Sequence, residues 1–82
     1  MMDILTVKYF GILADIAQKN EEQFPLDITD SSLKRLQSKL EICYPEMKNI
    51  PYVIAVNQSI VNTKEKLKHN DELALLPPFS GG

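Results

Sequence analysis

The residue types that could do chemistry are few here: one histidine (His69), one cysteine (Cys43) and three glycines (Gly11, Gly81 and Gly82). A self-sufficient catalyst needs a base, a nucleophile or a cluster of metal ligands, and no His, Cys and carboxylate side chains recur at ligand spacing. His69 lies between Lys68 and Asn70-Asp71, the setting of a surface turn residue without a chemical role. Cys43 continues a stripe of leucines at helical spacing and reads as a small core residue rather than a reactive thiol. The glycines cannot make a phosphate-cradling loop, so this chain is not expected to bind ATP unaided. Any activation chemistry must then come from a partner.

What remains is the segment Pro77-Pro78-Phe79-Ser80-Gly81-Gly82. Two prolines give a stiff, extended exit from the preceding strand, and two glycines without Cβ atoms bring a free carboxylate to a slender end. Such an end fits a narrow tunnel. Fully extended, the segment reaches at most about 20 Å, enough to carry a terminus from a domain surface into another protein's active site. A terminus frayed in solvent is the alternative, and the tail alone leaves both open.

The elements that must position this tail come from 82 residues, 44% hydrophobic and 24% charged, which suit one compact domain with a single core. Residues 1–76 are assigned to that domain and 77–82 to the tail. A single cysteine excludes an internal disulfide framework and a Cys-rich zinc site, and suits a reducing compartment. No apolar run approaches the roughly 20 residues of a membrane span. Met1-Met2-Asp3 leads directly into alternating residues, without the basic and apolar blocks of a signal peptide, so a cytoplasmic location is expected. The net charge of -2, from 9 basic and 11 acidic residues, argues against a nucleic-acid partner. Lys64, Lys66, Lys68 and His69, interrupted by Glu65 and Leu67, make a solvated turn.

Along residues 3–10, Leu5, Val7 and Tyr9 share one side of a strand and Ile4, Thr6, Lys8 and Phe10 the other. After Gly11, Ile12, Leu13, Ile16 and Ala17 fall on one face of a short helix, which the polar run from Gln18 to Glu22 ends. Phe24, Leu26 and Ile28 alternate as a second strand, placed at a sheet edge by Pro25, which has no ladder N–H. Thr29 or Asp30 can cap the main helix, in which Leu33, Leu36, Leu40 and Cys43 form the apolar stripe. Pro45 ends that helix near Tyr44. Tyr52 to Val56 and Ile60-Val61 flank Asn57-Gln58-Ser59 as a hairpin, and residues 72–76 form an interior strand stopped by Pro77 and Pro78. This order predicts an α+β domain with one main helix packed across a mixed sheet. The expected core is Leu5, Val7, Leu33, Leu36, Leu40, Val53, Leu73 and Leu75.

Four segments resemble the small, sulfur-carrying subunit of molybdopterin synthase: Val-Lys-Tyr-Phe at 7–10, Ala-Val-Asn-Gln at 55–58, Asn-Asp-Glu-Leu-Ala at 70–74 and the closing Pro-Pro-Phe-Ser-Gly-Gly. The resemblance covers nearly the whole chain, and the double proline with its apolar residue and Ser separates it from carriers that share Gly-Gly alone. It implies a β-grasp, ubiquitin-like fold. It further implies that a ubiquitin-activating-type enzyme uses ATP to adenylate Gly82, that sulfur replaces AMP as a thiocarboxylate, and that the large synthase subunit directs this sulfur into cyclic pyranopterin monophosphate. On that reading the chain binds no cofactor and has no activity of its own. Phe10, Pro77, Pro78 and Phe79 would form an apolar docking patch, although Phe10 could equally be core. Many family members have a basic residue soon after this Phe; here the run is Phe10-Gly-Ile-Leu-Ala-Asp-Ile16, so its salt bridge to the large subunit is not carried over. The competing readings are a thiazole-pathway sulfur carrier and a ubiquitin-like binding module with an inert tail.

Overall fold

The computed structural model describes residues 3–26 and 29–77. Strand β1 (Ile4–Tyr9) alternates as its sequence predicts, with Leu5, Val7 and Tyr9 buried and the intervening residues half-buried. A short helix α1 (Ile12–Ala17) follows and stops at Gln18, whose left-handed φ of 59° turns the chain toward β2 (Glu21–Pro25). Helix α2 (Leu33–Cys43), a 3-10 turn (Pro45–Asn49), β3 (Val53–Val56), β4 (Ser59–Ile60) and β5 (Glu72–Leu76) complete the order. The strands form one sheet in the order β2-β1-β5-β3-β4. Only β1 and β5 run parallel; the other neighbouring pairs are antiparallel. The edge position of β2 and the interior position of β5 are therefore as predicted.

Packing follows from strand phase. Leu75 lies between Tyr9 and Ile54, and Leu73 between Val7 and Val56, so rows of apolar side chains cross the sheet beneath α2. Leu33, Leu36 and Leu40 close this core from the helix side. Each such fully buried side chain contributes roughly 1.5–3 kcal/mol relative to exposure. The predicted core holds at seven positions and fails at Val53, which is half-buried; Ile54 and Val56 take that place. Val-Ile-Ala-Val is apolar at every position, so alternation supplied no phase.

Three local details differ from expectation. The helix cap is Ser32 rather than Thr29 or Asp30: Arg35 N donates to Ser32 Oγ, while Asp30 accepts from both N and Oγ of Ser32 and orients the cap. The first two helical N–H groups donate to Glu65 O and Thr63 O, so the loop before β5 completes the capping. Cys43 is exposed, not core; Met47 of the 3-10 turn is fully buried and occupies the core beyond Leu40. Strand β2 begins at Glu21, earlier than predicted, and Ile28 lies outside the described residues.

Two of the motif segments meet in space. Asn57 and Gln58 turn β3 into β4 with φ of 50° and 72°, the double positive φ of a tight hairpin. Asn57 Nδ2 donates to Asp71 Oδ1, and Asn57 Oδ1 accepts from Glu72 N, so the hairpin is clamped to the start of β5. His69 is exposed, as expected, and its Nδ1 accepts from Ile4 N at 3.0 Å. The same nitrogen lies 3.7 Å from an Asp3 carboxylate oxygen.

Where β1, β2 and the end of α2 converge, the hydroxyls of Tyr9 and Tyr44 both donate to Glu22 Oε1, at 2.8 and 2.6 Å. Burial, then the bond to Glu22, pushes the Tyr9 phenol up, and the same two causes push Tyr44 up to about 12. Partial burial opposes ionisation of Glu22, but the bonds from Tyr44 and Tyr9 outweigh it and lower its pKa from 4.5. A depressed folded-state pKa gives stability that is present above the unfolded value and lost as pH falls through the folded one. Glu22→Gln is accordingly expected to melt below the native protein at neutral pH, with the gap closing below pH 4.5. Melting curves across the acid range check this, and a gap independent of pH would show that the carboxylate charge contributes nothing.

Candidate functional site

The parallel pairing of β1 and β5 brings their C-terminal ends to the same edge of the sheet. Tyr9 pairs with Leu75, and Phe10 N donates to Leu75 O at 3.2 Å, so the segment leaving β1 runs alongside the segment leaving β5. Pro77 is the first residue beyond β5 and the root of the tail. Alternation continued from Tyr9 turns the Phe10 side chain away from the core, and 45% of the residue is exposed. Gly11 then bends the chain with φ 60° and ψ −134°, and an ideal Cβ built on it would lie 3.1 Å from Pro77 Cγ. Helix α1 starts at once, with Leu13 N donating to Phe10 O and Ala14 N to Gly11 O.

Ile12, the first residue of that helix, is 49% exposed rather than part of its buried face. A six-residue helix buries one i, i+4 pair, here Leu13 and Ala17, and leaves Ile12 outside. The brevity enforced by Gln18 to Glu22 was the signal for this surplus apolar residue. Phe10 and Ile12 thus flank the turn that touches Pro77, an apolar rim at the tail's origin. Of the predicted site residues, the structure brings Phe10 and Pro77 to one edge; Pro78, Phe79, Ser80, Gly81 and Gly82 lie outside the described residues.

Other surface features are separate from this rim. Ile42 on α2 and Ile60 on β4 are also exposed. A groove of about 400 Å³, lined in part by Leu5, Pro25, Leu36, Ile42 and Leu67, shares no residue with the tail root. Among the described residues, no three His, Cys, Asp or Glu side chains are grouped to hold a metal ion, and no helix is long and apolar enough to cross a membrane. What the arrangement offers is an exposed apolar rim, Phe10 and Ile12, beside the root of the C-terminal segment at Pro77.

The sequence profile of the ThiS family matches residues 7–82, from the middle of β1 through the whole tail. The chain belongs to the ThiS family. It is 33% identical over 82 residues to the molybdopterin synthase sulfur carrier subunit of Chlamydomonas reinhardtii, covering 95% of this chain and 98% of that one. The resemblance to the small subunit of molybdopterin synthase, read above from four segments, is borne out. A Helicobacter pylori structure described as the complex of subunits 1 and 2 of molybdopterin-converting factor contains a chain 28% identical to this one, with a TM-score of 0.66 over 96% of this chain and 99% of that chain. Small archaeal modifier protein 1 from Haloferax volcanii is 25% identical, with a TM-score of 0.80 over 96% of this chain and 99% of its own. The fold of this ThiS-family chain is the ubiquitin-like β-grasp.

Proposed function

We propose that this chain is the sulfur carrier subunit of a molybdopterin synthase and that its sulfur is borne on Gly82. The observation that carries the reading is the exposed apolar rim of Phe10 and Ile12 at the root of the tail, in a chain 33% identical to a carrier subunit of that name. A carboxylate is a poor electrophile because it is anionic and delocalised. A ubiquitin-activating-type partner spends ATP to make the acyl adenylate of Gly82, releasing pyrophosphate, and a sulfur nucleophile then displaces AMP to leave a thiocarboxylate. That soft nucleophile is delivered into the active site of the large synthase subunit, where it attacks a carbon of cyclic pyranopterin monophosphate, the new C–S bond forming as a C–O bond at that carbon breaks and its oxygen substituent leaves. Hydrolysis of the acyl–sulfur link leaves the sulfur on the substrate and returns the Gly82 carboxylate for another cycle. A dithiolene needs two sulfurs, so the carrier must dock, react, leave and be recharged. Residues 1–76 supply the docking surface and 77–82 the reach, in the cytoplasm, with ATP bound by the activating partner alone.

The test is coexpression with an adenylating enzyme and a sulfur donor, followed by intact mass and then precursor conversion with a large subunit. A mass gain of one oxygen-to-sulfur exchange at Gly82, and product formed from the charged chain, are expected. No mass change under conditions that charge a known carrier would favour the binding module, and charging without precursor conversion would favour the thiazole pathway. Phe10→Ala is expected to weaken large-subunit binding about tenfold or more, with a melting shift of less than about 4 °C. A large fall in melting temperature with unchanged affinity would move Phe10 from the interface to the fold.

A further inference from the structure

We propose that the outer edge of β2 and the groove beside it form a second docking site, which takes an extended segment of another protein with alternating apolar side chains and a carboxylate. The site lies apart from the rim at Pro77 and stands whether or not the chain carries sulfur. Its first part is backbone. Tyr9 N donates to Asn20 O and Leu26 N to Asp3 O, which fixes the phase of the pairing between β1 and β2. Glu22 and Phe24 direct their N–H and C=O groups at β1, and Glu21, Gln23 and Pro25 direct theirs away from the sheet. Because β2 ends the sheet, the N–H groups of Glu21 and Gln23 and the C=O groups of all three meet no further strand among the described residues. Pro25 takes an outward position, where its missing N–H breaks no bond of the sheet.

The second part is the groove, whose wall on α2 is Arg35, Ser38, Lys39, Ile42 and Cys43. These residues recur at spacings of three and four and so form one flank of the helix. The opposite flank is closed by Tyr52, whose hydroxyl donates to Glu41 Oε2 at 2.9 Å and accepts from Gln37 Nε2 at 3.1 Å. On the groove side Ile42 instead stands 76% exposed, and Pro25 and Leu26 form the facing wall. From Arg35 to Cys43 the flank is about 12 Å long, the length of three to four extended residues. A strand added to β2 puts the side chains opposite Phe24 and Leu26 on the inner face, toward α2 and the groove, and the alternate ones on the outer face beside Glu21 and Gln23. Charge then selects the sequence. Arg35 and Lys39 stand on the helix wall, while Asp30, also in the lining, already accepts from N and Oγ of Ser32. A carboxylate is therefore favoured on the inner row and disfavoured on the outer one, beside Glu21, while pairing with the main chain supplies affinity for any such sequence.

The probe is the synthetic peptide acetyl-Ser-Val-Thr-Ile-Thr-Asp-Ser-amide, whose Val, Ile and Asp share one face of a strand, together with the same sequence reversed so that both pairing directions are sampled. Each is titrated into the isotope-labelled full chain and followed by the amide resonances. Saturable binding by one of them is expected, with shifts at Glu21, Gln23 and Leu26 and along Arg35 to Cys43, and none at Phe10 and Ile12. Replacing the peptide's Asp by Lys is expected to weaken binding about fivefold or more. Methylating one alternate set of peptide nitrogens is expected to abolish binding and methylating the other to leave it, because only one set faces β2. Gln23→Pro, which removes an outward donor, should weaken binding about threefold to tenfold, and Ile42→Gln about fivefold, each with a melting shift of less than about 4 °C. If Gln23→Pro does not fold, the methylated peptides test the same bonds. No saturable binding up to about 1 mM of either peptide overturns the proposal, as do shifts confined to Phe10 and Ile12 or equal binding by the two methylated forms. Self-association of the peptide-free chain through these residues, read by sedimentation, would give the groove to a second copy and overturn it as well.

Discussion

One alanine added after Gly82 is expected to abolish sulfur transfer while leaving the domain folded and most of its affinity for the large subunit intact. On the proposed carrier reading, affinity draws on the exposed rim of Phe10 and Ile12, which the extra residue does not touch. Chemistry depends on where the last carboxyl carbon lies. One residue lengthens an extended chain by about 3.3 Å, several times the displacement that can already cost about a hundredfold in rate. The added methyl group also widens an end that glycine keeps slender. Adenylation, thiocarboxylate formation and single-turnover conversion are to be compared for native and extended chains, with binding measured alongside. Near-native turnover, once mass analysis has excluded trimming back to Gly82, would show that the reacting atom lies elsewhere.

Leu40→Ala is expected to cost about 2–5 kcal/mol of folding stability, whereas Ile42→Ala, two residues along the same helix, should stay within about 0.5 kcal/mol. Leu40 is wholly buried between α2 and the sheet, while Ile42 is 76% exposed. For a domain of this length the total is on the order of 4–12 kcal/mol, so the first substitution removes a large share of it and should lower the melting temperature by roughly 10 °C or more. Denaturant titrations of the two variants decide the matter. Equal losses would mean that α2 packs with a different face than the one described.

These expectations rest on features of unequal visibility in the sequence. Leu5, Val7 and Tyr9 were legible because polar or half-polar residues alternate with them, and the leucines of α2 because their spacing of three and four admits one helical face. Val53 and Cys43 misled for the opposite reason: an uninterrupted apolar run has no phase, and a stripe read from spacing does not reveal that Met47 arrives from the next turn to fill the core. The cap at Ser32 was hidden among neighbouring Thr29, Asp30 and Ser31, any of which could serve. At the candidate site, the tail could be read from composition, whereas Phe10 came from the family resemblance, because its own sequence setting left it open between interface and core. The contact of Gly11 with Pro77 could not be read at all, because it joins residues at opposite ends of the chain and leaves no periodic trace.

The place of β5 between β1 and β3 bears on how the protein is made. It is the last of the described strands, yet it is the one that joins β1-β2 to β3-β4. Until it is synthesised, those two strand pairs share no edge, and the pairing of β1 with β5 must close nearly the whole chain as a loop, a late and slow event for a domain of mixed topology. A nascent or truncated polypeptide therefore has Phe10 and Ile12 but no strand to set them beside residue 77. Assembly of the sheet and completion of the apolar rim beside Pro77 are one event, so an unfinished chain lacks the composite surface on which the proposed docking depends.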